Sequence, residues 1–155
     1  MAIHAMPHSY ASIFTHIVYS TKNRIPQIDA ALEERLFPYL AGIVKQLGGK
    51  VCIIYGAPDH VHLLTATPPT ITVAELIGKV KGNSSKWIHE TFPERARFQW
   101  QRGYGAFSVS RSNVPVVARY IERQKIHHRK ATFTAEFRAL LQRHGIAFDE
   151  KYLWT

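Results

Sequence analysis

The chain has 155 residues, 46% of them hydrophobic, and its twenty Lys+Arg against eleven Asp+Glu give a net charge of +9 and a pI near 9.9. That length fits one domain, residues 1–155, with a sizeable core; the apolar fraction excludes a disordered chain, and the charge calls for a polyanionic partner, either nucleic acid or an anionic membrane surface. No apolar run is long enough to span a bilayer, Met1 to Tyr10 lacks the features of a secretory signal, and the single cysteine excludes an internal disulfide or a multi-cysteine zinc site, so a soluble cytoplasmic protein is expected.

Residues 9–20 read as the first strand, with Ile13, Thr15, Ile17 and Tyr19 on one face and Phe14, His16, Val18 and Ser20 on the other. Thr21-Lys22-Asn23-Arg24 follows as a basic loop at the strand end, where Lys22 and Arg24 are candidates for phosphate contact. Asp29 is an N-cap for a helix running to Leu47, with Leu32, Leu36, Leu40, Ile43, Val44 and Leu47 as its apolar stripe. Pro38 inside that stripe removes a hydrogen bond and clashes at a cost of about 3 kcal/mol, which predicts a kink or two abutting helices. Gly48-Gly49 is the stop.

Lys50 to Tyr55 is β-branched and apolar, Gly56-Ala57-Pro58-Asp59 has turn chemistry, and Val61-Leu63-Leu64-Thr65 resumes the strand pattern until Pro68-Pro69. This predicts a β-hairpin with His60 and His62 near the start of its second strand. Residues i and i+2 of a strand point to the same face, so these two imidazoles can hold one ion between them. Asp59, in the turn, is placed to orient one of them through its second ring nitrogen. A His-x-His pair alone equally describes two polar residues on a wet strand face. His16 is a candidate neighbour from the first strand, and Cys52 is expected to be a buried structural thiol.

Thr72-Val73-Ala74-Glu75 is a capping box. The helix behind it is expected to bury Val73, Leu76, Ile77, Val80, Trp87 and Ile88. Lys79, Asn83 and Lys86 form a row on its polar face, either a solvated surface or an anion-binding one. Arg102 belongs to an irregular basic stretch before Gly103 to Ser110, a fourth strand whose glycines permit close approach by another backbone. Trp100, Tyr104 and Phe107 are candidate base-stacking platforms, although such aromatics also serve cores. The order strand, helix, strand, strand, helix, strand suits an α+β, ferredoxin-like βαββαβ sandwich: an antiparallel sheet covered by helices on one face, with His60 and His62 displayed on the open one.

A helix over 116–128 follows an N-cap pair, Ser112-Asn113, and places Tyr120 and Gln124 one above the other. Thr132 caps a last helix with Phe133, Phe137, Leu140 and Leu141 on its apolar side. The closing residues 146–155 carry enough aromatics to dock.

Taken together, Pro-Asp-His60-Val-His62-Leu on a strand and Tyr120-Ile-x-x-Gln124 on a late helix resemble the HUH single-tyrosine transposases of small bacterial insertion sequences, including the related repetitive-palindrome-associated transposases. The resemblance extends to Ser20 to Arg24, Ser84 to Ile88, Gln101 to Ser110 and Tyr152-Leu153-Trp154. It implies a metal-dependent endonuclease and strand transferase acting on single-stranded DNA, at hairpin ends of a mobile element. It also implies C-terminal helices carrying the tyrosine, and a homodimer. Tyr120 would be the nucleophile, forming a 5′-phosphotyrosine ester that a 3′-hydroxyl can later reverse. His60, His62 and Gln124 would be neutral ligands of Mg²⁺ or Mn²⁺, the nitrogen donors favouring Mn²⁺. Two other classes fit the same residues: a non-catalytic nucleic-acid-binding module, and a zinc hydrolase taking a third ligand from His16, His127 or His128.

Overall fold

A computed structural model describes residues 9–124 and 132–154. Four strands, β1 (Phe14–Ser20), β2 (Lys50–Ala57), β3 (His60–Ala66) and β4 (Gly105–Val109), form one antiparallel sheet in the order β2-β3-β1-β4. Helix α1 (Ala30–Gln46) joins β1 to β2, and α2 (Val73–Thr91) joins β3 to β4. This α+β order is the βαββαβ arrangement expected from the sequence. Among the described residues, two further α-helices follow, α3 (Val114–Glu122) and α4 (Phe133–Arg143).

The local signals that start the helices act as their residue types dictate. Asp29 accepts a hydrogen bond from the Leu32 amide at 2.9 Å, and Thr72 accepts one from the Glu75 amide at 3.0 Å. At the far end of α1, Gly48 adopts φ +93°, a left-handed conformation that stops the helix at little cost. Pro38, however, neither ends the helix nor splits it, and α1 runs through as one element. Pro38 and Glu34, whose carbonyl loses its partner, are both exposed, so that carbonyl is open to solvent and the missing bond is not a buried loss.

One face of the sheet packs on α1 and α2: Ile17, Tyr19, Val61 and Leu63 meet Leu32, Leu36, Leu40, Leu76, Ile77 and Ile88 in the larger core. Trp100 belongs there too, its indole N–H donating to the buried Ser84 hydroxyl at 3.0 Å, so it is not a stacking platform. The opposite face was expected to be open, and it is not. Val18 and Phe107 pack there against Phe133, Phe137, Leu140 and Leu141 of α4 and against Leu153. Phe107 is therefore core as well, whereas Tyr104 stays exposed. Gly105 is what lets α4 sit so close. A Cβ at that position would lie 2.7 Å from the Phe137 ring, so the glycine admits an aromatic side chain rather than a second backbone. The closing segment docks, with Trp154 against Phe133 and Phe137.

Cys52 is exposed, not buried. The pairing of β2 with β3 shifts register between Val51 and Ile53, leaving Cys52 as the extra residue of a bulge on an edge strand. Among the described residues, no helix is long and apolar enough to cross a membrane.

Candidate metal and nucleophile site

The site is assembled by sheet register. Ala57 pairs with His60 across the two-residue turn Pro58-Asp59, so β3 begins at the first histidine. Ser20 lies opposite His60, Val18 opposite His62, and His16 opposite Leu64 and Phe107, which puts His16, His60 and His62 on the face that α4 covers. Gly56 allows the tight turn, since a Cβ there would run into the His60 carbonyl oxygen.

Each histidine is held by its Nδ1. His60 Nδ1 is 2.8 Å from Asp59 Oδ1, the orienting contact that the turn residue promised. His62 Nδ1 is 2.8 Å from His16 Nε2. Fixing one ring nitrogen fixes the tautomer and orientation and leaves Nε2 as the candidate ligand atom. His16 is thereby a brace for His62 and not a third ligand. Burial, and after it the proximity of His62, lower the His16 pKa to about 3, so its imidazole is neutral across the physiological range.

Tyr120 on α3 meets both rings edge-on, its centroid 6.0 Å from His62 and 6.2 Å from His16. Its hydroxyl hydrogen-bonds the side chains of Gln124 and Glu136. Burial first, then the charge of Glu136, push the phenol's pKa above its ordinary value, while Gln124 acts in the opposite sense. Gln124 is fully buried beside it, with Nε2 3.4 Å from the Tyr120 carbonyl oxygen. α3 ends at Glu122 and Arg123 leaves helical geometry, so the expected helix over 116–128 is interrupted there; Gln124 is helical again, and the rest of that span lies outside the described residues. His127 and His128 lie outside the described residues.

Glu136 is the residue that sequence reasoning missed. Its Oε1 is 3.0 Å from His62 Nε2, and His60, His62 and Glu136 offer three ligand atoms within 4.8 Å of one another. Nothing local marks it: it is one acidic residue on the polar side of an amphipathic helix, and only the docking of α4 brings it here. The fit to a divalent cation rests on this chemistry. Two imidazoles with their other nitrogens engaged and one carboxylate bring their ligand atoms together at a spot where His60 and His62 are both 0% exposed.

The basic candidates are spread more widely. Lys22 and Arg102 line a cavity of about 600 Å³ on the α2 side of the sheet, together with Lys81, Gln99, Gln101 and Tyr104. Lys81 donates to the carbonyl oxygens of Arg102 and Gly103 at 3.1 and 2.8 Å, and burial lowers its pKa to about 8. Arg24 lies over the Trp154 ring at 5.0 Å, so its stem and charge help to hold the C-terminal segment. Lys79, Asn83 and Lys86 are exposed on α2, with Lys86 3.9 Å from Glu90. These groups surround the sheet edge and α2; the structure does not bring them into the histidine site.

The fold is that of solved transposases. It matches the crystal structure of a Deinococcus radiodurans protein assigned as a transposase, with a TM-score of 0.64 and 23% identity over 77% of this chain and 96% of that one. It also matches a REP-associated tyrosine transposase bound to a REP hairpin, with a TM-score of 0.59 and 12% identity over 80% of this chain and 73% of that one. Residues 9–124 match the model of the IS200-like transposases, and the chain belongs to that family. Its relatives include the ISDra2 transposase of Deinococcus radiodurans, 25% identical over 70% of this chain and 81% of that protein. The transposase for insertion sequence element IS200 of Salmonella typhimurium is 27% identical over 70% of this chain and 74% of that protein.

Proposed function

We propose that this transposase is a metal-dependent single-stranded DNA endonuclease and strand transferase. It works as a homodimer on the hairpin ends of an insertion sequence, with Tyr120 as nucleophile and His60, His62 and Gln124 as metal ligands. The observation that carries the proposal is the convergence of one phenol and two braced imidazoles on a single buried spot, with ring centroids 6.0 Å apart for Tyr120 and His62. A phenol is a group that can keep hold of a cut strand as a covalent ester.

In the reaction, the Tyr120 oxygen attacks the scissile phosphorus. The new bond is phosphorus to tyrosine oxygen, and the bond broken is phosphorus to the 3′ oxygen, which leaves as a 3′-hydroxyl. The 5′-phosphate stays on the protein, and the energy of its ester is kept for rejoining. A bound Mg²⁺ or Mn²⁺ supplies Lewis-acid stabilisation of the charge that builds on the phosphate oxygens. Asp59 and His16 set the angles of the two ligand imidazoles, and Gln124 holds the phenol oxygen by its amide. Lys22 and Arg102 in the basic cavity, with Lys79, Asn83 and Lys86 on α2, support binding of the flanking DNA backbone, and Arg24 does so only as far as its stacking on Trp154 permits.

The test is incubation of the protein with end-labelled hairpin DNA bearing a single-stranded flank. Cleavage is expected with Mn²⁺ or Mg²⁺, none with chelator, and none on a fully duplex substrate. Metal-independent cleavage, or equal cutting of the duplex, would refute the proposal. One observation favours a second reading: His60, His62 and Glu136 form a two-histidine, one-carboxylate donor set that zinc accepts in hydrolases. Zinc-dependent cleavage surviving Tyr120→Phe would support that reading in place of the first.

A further inference from the structure

Helix α4 does two things to the histidine pair at once. Phe133 lies flat on His60, with centroids 3.8 Å apart and planes inclined by 6°, and Glu136, three residues on, meets His62 at 3.0 Å. Its seat is specific: Thr132 caps its first turn, Phe137 fills the space that Gly105 leaves, and Trp154 packs across Phe133 and Phe137. The result is a side-chain carboxylate only 9% exposed, held beside two imidazoles and hydrogen-bonded to the phenol. A carboxylate taken this far from water is best stabilised by a cation.

We infer that Glu136 is a metal ligand of the DNA-free protein beside His60, His62 and Gln124, and that it gives up its position to the scissile phosphate while Gln124 stays. The inference rests on the proposed metal role of His60 and His62. Its logic is positional. A phosphate poised for attack must touch both the metal and the Tyr120 oxygen, and the Glu136 carboxylate already lies beside both His62 Nε2 and the Tyr120 hydroxyl. Two anions do not share that place, since like charges brought together out of water repel strongly. The flat stacking of Phe133 closes the remaining approach to His60, so substrate entry requires α4 to lift. Metal chelation by Glu136 and burial of the histidines are then one closed state, and DNA binding and α4 release are its exchange for the open one. This gives the site of this chain a charged resting ligand that the His-x-His and Tyr-x-x-x-Gln patterns do not contain.

The experiment is calorimetric titration of Mn²⁺ into the metal-free full-length protein without DNA, for wild type, His60→Ala, Glu136→Gln, Glu136→Asp and Gln124→Ala, each checked for a cooperative melt. Glu136→Gln is expected to lower affinity at least ~10-fold, Glu136→Asp to fall between it and wild type, and Gln124→Ala to weaken binding as well. A second readout is fluorescence anisotropy with a labelled single-stranded oligonucleotide at saturating Mn²⁺, where Glu136→Gln should bind several-fold more tightly than wild type. If His60→Ala loses Mn²⁺ while both Glu136 variants bind it as wild type does, Glu136 is no ligand and the inference falls alone. The same holds if Gln124→Ala, and not Glu136→Gln, loses it. If wild type and His60→Ala behave alike, the metal role of the histidines fails and the inference goes with it.

Discussion

His16 Nε2 lies 2.8 Å from His62 Nδ1, so one strand histidine is held by another. With His16 neutral, a His62 that binds metal through Nε2 must carry its proton on Nδ1 and donate it to His16. His16→Ala removes the acceptor and frees the His62 ring to turn. The expected outcome is about 10- to 100-fold weaker Mn²⁺ binding with the fold retained. His16→Gln, which can still accept, should recover part of that loss. Calorimetry on the three proteins decides it, and equal affinities would show that the contact does not tune the ligand.

The close seat of α4 depends on Gly105. Gly105→Ala places a methyl 2.7 Å from the Phe137 ring, and the helix must shift or the sheet must bend. Overpacking of this kind costs about 1–3 kcal/mol. Chemical denaturation should show that loss, and hydrogen exchange should show α4 amides exchanging faster than those of α1 and α2. Uniform loss of protection across all helices would mean that α4 is not a separately releasable layer.

The row on α2 makes a claim about salt. If Lys79 and Lys86 contact phosphates, replacing both with Ala should flatten the salt dependence of single-strand binding by about 0.7 per lost contact. Lys86 lies near Glu90, both well exposed, and such a pair contributes little, so it does not take the lysine out of play. An unchanged slope would make the row an ordinary solvated surface.

Gln124 is tested by the metal dependence of cleavage. Gln124→Ala should need more Mn²⁺ for half-maximal rate, with excess metal restoring part of the activity. Gln124→Glu should bind metal at least as well yet cleave more slowly, because its charge weakens the metal's pull on the phosphate. Identical metal curves for wild type and Gln124→Ala would remove Gln124 from the ligand set.

Much of the fold follows from patterns that are local. Apolar spacing of three and four residues marks α1 and α2, Thr72 and Glu75 mark a helix start, and Pro58-Asp59 between β-branched runs marks the hairpin that presents His60 and His62. Sheet order and two-sided covering are different in kind. Phe133, Phe137, Leu140 and Leu141 say that the last helix has an apolar face, but not that the histidine face of the sheet receives it. For that reason Glu136 stayed invisible, and the histidines looked displayed when they are buried. Cys52 was misread for a similar reason, since a bulge depends on how β2 registers with β3 and no single strand's alternation records it. Trp100 and Phe107 show the limit for aromatics, whose composition is the same in a core and on a binding platform.

The central claim is that Tyr120 keeps hold of the strand it cuts. The direct measurement uses hairpin DNA labelled on its 3′ side, incubated with Mn²⁺, denatured in detergent and resolved by size, with the adduct mapped by mass spectrometry. Wild type should give a protein-linked labelled fragment attached at Tyr120 through a 5′-phosphate. Tyr120→Phe should fold, bind the same DNA and give none. An adduct of undiminished yield in Tyr120→Phe, or cleavage by wild type that leaves only free ends, would contradict the account.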